Sequence, residues 1–118
     1  MEIIISEVFT KTPGARFKDD GDFSGEEFRD NILLPHFQKA VEMNGKLTID
    51  LDGGYGYATS FLEESFGGLA RLRKYSPKQV LDTLLFKSED EPSLVNEIKR
   101  YIQNANKTKK IGECSDVY

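Results

Sequence analysis

With 118 residues, 31% charged and 38% hydrophobic, and a formal net charge of −4, the chain has the make-up of one globular domain with a single core. Its one cysteine, Cys114, excludes an internal disulfide, and one histidine, His36, leaves no zinc-ligand set. The acidic balance argues against general nucleic-acid binding, no apolar run approaches a membrane span, and Ile3-Ile4-Ile5 follows Glu2 without the basic flank of a signal peptide, so the expected setting is cytoplasmic, with neither membrane nor nucleic acid as a partner.

Glu2 to Phe9 is almost continuously apolar and rich in β-branched residues, which suits a strand covered on both faces. Pro13-Gly14 and Asp20-Gly21 then bracket a turn-rich arm, read equally as a short hairpin or an ordered loop. Ser24 with Glu27 forms a capping box, and Phe23 with Phe28 a hydrophobic staple, so a helix begins at Ser24. Phe28, Ile32, Phe37 and Val41 continue its apolar face to Asn44-Gly45, with Pro35 expected to kink or divide it. Leu47, Ile49 and Leu51 alternate with Thr48 and Asp50 as a buried strand that ends at Asp52-Gly53-Gly54.

Thr59 and Ser60 precede the helical stripe of Phe61, Leu62, Phe66 and Leu69, and Ser60 with Glu63 fits a second capping box. Gly67-Gly68 interrupts that helix, read as close packing of its backbone on the sheet or a neighbour. Ser76-Pro77-Lys78-Gln79 starts a short helix to about Leu81, Thr83 to Lys87 reads as a strand, and Glu91-Pro92 opens an amphipathic helix carrying Leu94, Val95, Ile98, Tyr101, Ile102 and Ala105. Residues 106–118 are polar and aperiodic, a tail expected to be mobile; the cations Lys99, Arg100, Lys107, Lys109 and Lys110 are read as a solvated helix end and tail. The order calls for one small α/β domain over residues 1–105, a largely parallel sheet with right-handed crossovers, helices packed on it and the arm at its N-terminal side.

Met1 to about Ile102 resembles the bacterial and phage STAS-like domain family, a family of unassigned function, through PGARFKDDGDFSGEEFRDNILLP and IDLDGGYGYATSFLEESFGGL. The likeness extends to the STAS domains of anti-sigma-factor antagonists, in which a strand ending in a D-L-S-G-like sequence is followed by D-S-S-G at a helix start, and a serine there is phosphorylated by a partner kinase. Asp50-Leu51 matches the strand end, Asp52-Gly53 stands where that pattern has serine and glycine, Thr59-Ser60 stands at the serine pair, and Leu62 matches the leucine beyond. Ala58 replaces the aspartate before the hydroxyl pair and Phe61 the glycine after it. The resemblance implies a non-enzymatic, partner-switching signalling domain whose counterpart is a histidine-kinase-type ATPase, with Ser60 or Thr59 as the phosphoacceptor.

Each candidate residue has a structural reading beside the functional one. A phosphate on Ser60 would gain donors at a helix N-terminus and add a charge of roughly −2, whereas Ser60 or Thr59 as a plain cap contributes on the order of 1 kcal/mol. Asp50 and Asp52, with Asp19, Asp20 or Asp22, carry the oxygen ligands magnesium takes, but Asp-Gly at a strand end and Asp-Asp-Gly in a turn also suit solvated turns; no cofactor is expected. Arg16 is a candidate anion clamp or an internal salt-bridge partner. Tyr55 and Tyr57 flank Gly56 either as exposed partner anchors or packed under the loop, and His36 reads as structural or exposed. The leading expectation is docking of a protein partner through residues 52–66; the alternatives are a nucleotide- or phosphate-binding enzyme or subunit using Asp50, Asp52, Ser60 and Arg16, and an immunity or antitoxin-like binding protein.

Overall fold

In the computed structural model, which describes residues 1–105, strands β1 (Glu2–Ile4), β2 (Leu47–Asp50) and β3 (Leu84–Lys87) form a parallel sheet in the order β1-β2-β3. Ile3 lies beside Ile49 and Ile49 beside Phe86, while Leu47 lies beside Leu84. That face is buried, with Phe86 on β3 only partly so. The opposite rows, Glu2-Thr48-Leu85 and Ile4-Asp50-Lys87, leave Glu2, Leu85 and Lys87 exposed, although Asp50 in the centre is covered. The topology explains the asymmetry, because two right-handed crossovers stepping in the same direction place both connections on one face of the sheet.

The first strand is shorter than its apolar run predicts. Ile4 pairs with Asp50, the last residue of β2, so no ladder remains beyond it, and Ile5–Val8 coils into a helical turn, α1, with Phe9 and Thr10 donating to the Ile5 carbonyl. The arm is an ordered loop rather than a hairpin. Its one regular piece among the described residues is a 3-10 turn, Lys18–Asp20. Backbone bonds from Gly14 to Phe23, Gly25 to Ala15 and Glu26 to Arg16 fasten it to the following helix start.

That start matches the sequence signals. The Ser24 hydroxyl accepts from Glu27 N at 3.0 Å, and Glu27 Oε1 accepts from Phe23 N at 3.2 Å. The staple is made through a third ring, since Phe23 lies edge-on to Phe9, which packs in turn against Phe28. Helix α2 (Gly25–Phe28) passes through a π segment, Arg29–Leu33, into α3 (Leu34–Glu42) without leaving helical backbone angles. Pro35 therefore does not divide the helix: the wider turn lies directly ahead of it, where its missing donor would otherwise break the ladder. The fully buried stripe is Phe28, Leu33, Phe37 and Ala40, with Ile32 and Val41 only partly buried. The step of five from Phe28 to Leu33 is the phase change of the π turn.

The second long helix repeats the device. Helix α4 (Thr59–Leu62), a π segment at Glu63–Gly67 and α5 (Gly68–Arg71) run on continuously, and Phe61 to Phe66 is again a buried step of five. It crosses the first helix where a Cβ on Gly25 would come 2.7 Å from the Phe61 carbonyl oxygen. Helix α6 (Pro77–Thr83) is capped by Ser76, whose hydroxyl accepts from Gln79 N at 3.1 Å, and α7 (Ser93–Gln103) buries Leu94, Ile98 and Ile102 at regular α spacing. The expected tail, with Cys114, Lys107, Lys109 and Lys110, lies outside the described residues.

Candidate functional site

Asp52 follows the exit of β2, and its carboxylate accepts from the backbone N–H groups of Glu89, at 2.8 and 3.0 Å, and of Asp90, at 2.9 Å. Asp90 answers from the loop after β3, accepting from Gly53 N at 3.1 Å. The two loops are thus braced reciprocally. The amide donors of Asp90 and Glu89 hold the Asp52 carboxyl below the ordinary carboxylate range. Asp50 Oδ1 accepts from Asp52 N at 3.0 Å, and Lys87 Nζ lies 3.7 Å from Asp50 Oδ2. Both sequence-predicted aspartates therefore serve the turn. Among the described residues no group of three or more His, Cys, Asp or Glu is arranged to hold a metal ion, so Asp19, Asp20 and Asp22 do not join them in one.

The glycine-rich crossing earns its composition locally. Gly53 and Gly56 have φ of +92° and +130°, which side-chain-bearing residues rarely adopt. A Cβ on Gly54 would meet the Lys11 carbonyl at 3.2 Å, the same oxygen that accepts from Tyr55 N at 2.9 Å. The two tyrosines part company. Tyr57 packs beneath the loop, its ring centroid 6.0 Å from that of Phe61 and its hydroxyl donating to the Leu51 carbonyl at 2.9 Å. Burial, with the charges of Asp50 and Asp52, pushes its hydroxyl pKa well above the usual tyrosine value. Tyr55 is 82% exposed. Both border a cavity of about 140 Å³, which the buried Leu51 and Leu94 and the exposed Asp90 and Glu91 also line.

Helix α4 starts otherwise than its hydroxyls suggest. Its N-cap is Ala58, with no side-chain cap bond; Thr59 and Ser60 are its first two residues, and the Ser60-Glu63 box is not formed. Tertiary partners claim the pieces. Glu63 turns to arginine: Arg16 and Arg71 both bind it, Arg71 Nη2 lying 3.2 Å from Oε1. Glu64, buried next to it, takes Arg29 Nη1 at 2.5 Å and Arg16 and Arg71 at 3.3 Å each.

Three guanidinium groups, from the arm, the first helix and the end of the second, thus converge on two carboxylates. Arg29 also donates to Asp30 at 2.9 Å. Burial pushes the Glu63 carboxyl up, but hydrogen bonds and charge from Arg71 and Arg16 outweigh it and hold the group below its ordinary value. Gly67-Gly68 provides the space, for a Cβ on Gly68 would lie 2.8 Å from Arg29 Nη1. The helix backbone is approached there by an arginine side chain. Sequence reasoning passed over Glu63, Glu64, Arg29 and Arg71 as a group; the paired glycines were the one local sign of something packed close.

Arg16 is therefore an internal ion-pair partner. It does not join Asp50, Asp52 and Ser60, and none of the four lines the tyrosine-bordered cavity. His36 is exposed, with Nδ1 2.7 Å from the Ile32 carbonyl. No described helix is long and apolar enough to cross a membrane.

Compared with known proteins, the chain matches over residues 24–94 the family described as STAS-like domain of unknown function (DUF4325). No curated protein and no solved structure matches it. The match spans the capped first helix, all of β2 and β3, the glycine-rich crossing and the arginine-glutamate helix, which is most of what builds the site. On that shared core, the chain belongs to the STAS-like domain family of unknown function.

Proposed function

We propose that this is a non-enzymatic protein-interaction domain that docks a partner through the 52–66 loop and helix start. The observation that carries the reading is Tyr55: a large aromatic ring, 82% exposed, on a loop that Gly53 and Gly56 allow to turn and that the Asp52–Asp90 brace and the bond from Tyr55 N to the Lys11 carbonyl tie down. Exposed tyrosine on a tied backbone is a residue type that anchors interfaces. Against a phosphate-binding enzyme stands the dispersal of its required groups, with Arg16 engaged by Glu63 and Glu64 and Asp52 by amide donors. An immunity or antitoxin-like protein is a separate reading that needs only an acidic surface and a cognate partner, and a neighbouring toxin gene would separate it from this one.

Regulation by phosphorylation fits at Ser60. Its side chain is half-buried, and it precedes Glu63 and Glu64 by three and four residues, on the same helix face. A phosphate there would compete with both carboxylates for Arg16 and so loosen the arm. A histidine-kinase-type ATPase is the counterpart this switch would need.

Affinity capture from native cells with the wild-type chain, Tyr55→Ala and Ser60→Asp, read by mass spectrometry of bound proteins and of Ser60, tests both parts. Docking predicts a partner held by the wild type and lost with Tyr55→Ala. Equal retention by the two refutes it, and a Ser60 never found phosphorylated removes the switch.

A further inference from the structure

The cavity beside Tyr55 has a charge as well as a shape. Of the residues that line it, Asp90 and Glu91 are carboxylates and none is a lysine or arginine. Asp52 is occupied by amide donors, and Asp90 gives one oxygen to Gly53. Among the described residues the exposed Glu91 carboxylate takes no hydrogen bond, while its backbone carbonyl accepts from the Ser88 hydroxyl at 2.6 Å and from Leu94 N at 3.1 Å. Exposed acid, an outward aromatic ring and a cavity ending on buried Leu51 and Leu94 therefore stand together.

We infer that the occupant of this cavity is an arginine side chain presented by the partner protein, stacked on Tyr55 and paired with Glu91 and Asp90. The inference rests on the docking reading above and names the chemistry of that partner. Arginine fits better than lysine because its planar guanidinium stacks on an aromatic face, pairs with a carboxylate through two donors, and carries an apolar stem suited to the leucines. A partner held this way binds more weakly as salt rises. A phosphate at Ser60 would then act through Arg16, since added negative charge does not repel a basic partner.

The test is selection of a random peptide library displayed on phage against the full chain, followed by titration of a synthetic consensus peptide. Three protein variants keep the fold constant: Tyr55→Ala, Glu91→Lys and, as a control of equal charge change elsewhere, Glu42→Lys at the exposed end of α3. The expected result is a shared arginine in the selected peptides. Affinity should fall about tenfold or more with Tyr55→Ala, with Glu91→Lys or with alanine at that arginine, and much less with Glu42→Lys. Peptides that depend on Tyr55 but lack the arginine, or an equal loss with Glu42→Lys, overturn the arginine inference while leaving the docking surface. Peptides indifferent to Tyr55 sink both.

Discussion

Removing Arg29 is the sharpest test of how the two long helices are joined. Its side chain is 12% exposed and that of Glu64 10%, and they meet at 2.5 Å. Breaking a buried ion pair by deleting one partner typically costs about 3–5 kcal/mol, because the remaining charge stays desolvated. Here Glu64 keeps Arg16 and Arg71, each at 3.3 Å, so Arg29→Ala is expected near or just below the lower end, about 2–3 kcal/mol. At roughly 4 °C per kcal/mol for a domain of this size, the melting temperature should fall by about 10 °C. Urea unfolding with an unchanged slope isolates the stability term. Lys78→Ala is the control: its pair with Asp82 has side chains 86% and 61% exposed, and its loss should stay within about 0.5 kcal/mol. An Arg29→Ala protein within about 0.5 kcal/mol of wild type would show that the cluster is ornament and that the core alone joins the helices.

Three further outcomes follow from particular contacts. Gly25→Ala places a Cβ 2.7 Å from the Phe61 carbonyl, so overpacking should cost about 1–3 kcal/mol in urea unfolding even though alanine is the better helix former. Glu63 is held below its ordinary value of 4.5, so its contribution is present above that pH and is lost as pH falls through the lower folded value. Stability measured across acid pH should therefore drop less steeply in Glu63→Gln, which starts lower at neutral pH. Tyr57→Phe removes the donor to the Leu51 carbonyl and should cost about 0.5–1.5 kcal/mol while leaving the exposed Tyr55 surface, and thus any binding of the consensus peptide, in place.

How far these features could be read from the residues depends on whether a local or a distant partner wins. Ser24 and Ser76 mark helix starts correctly because each hydroxyl accepts from the amide N–H three residues on, a partner inside the local window. Ser60-Glu63 has the same spelling and fails, since Glu63 is drawn away by Arg16 and Arg71, which no local window contains. The strand at Leu47 and the last helix were legible from periodicity, and the parallel sheet from the order of the elements. The end of β1 at Ile4 was not, for it is decided by where β2 runs out. The π segments left a trace that could have been found: buried aromatic and leucine residues five apart, Phe28 to Leu33 and Phe61 to Phe66, fit neither a regular α stripe nor a strand.

The reciprocal hold of Asp52 and Asp90 also bears on how quickly a partner can be recognised. A loop free to sample many shapes must surrender that freedom at each encounter, and association slows or weakens accordingly. Here the freedom was given up during folding, when the carboxylate of each loop took the amide groups of the other. The backbone that carries Tyr55 is then set before any collision, and the proposed docking should proceed on a loop already formed, with on-rates governed by diffusion and charge.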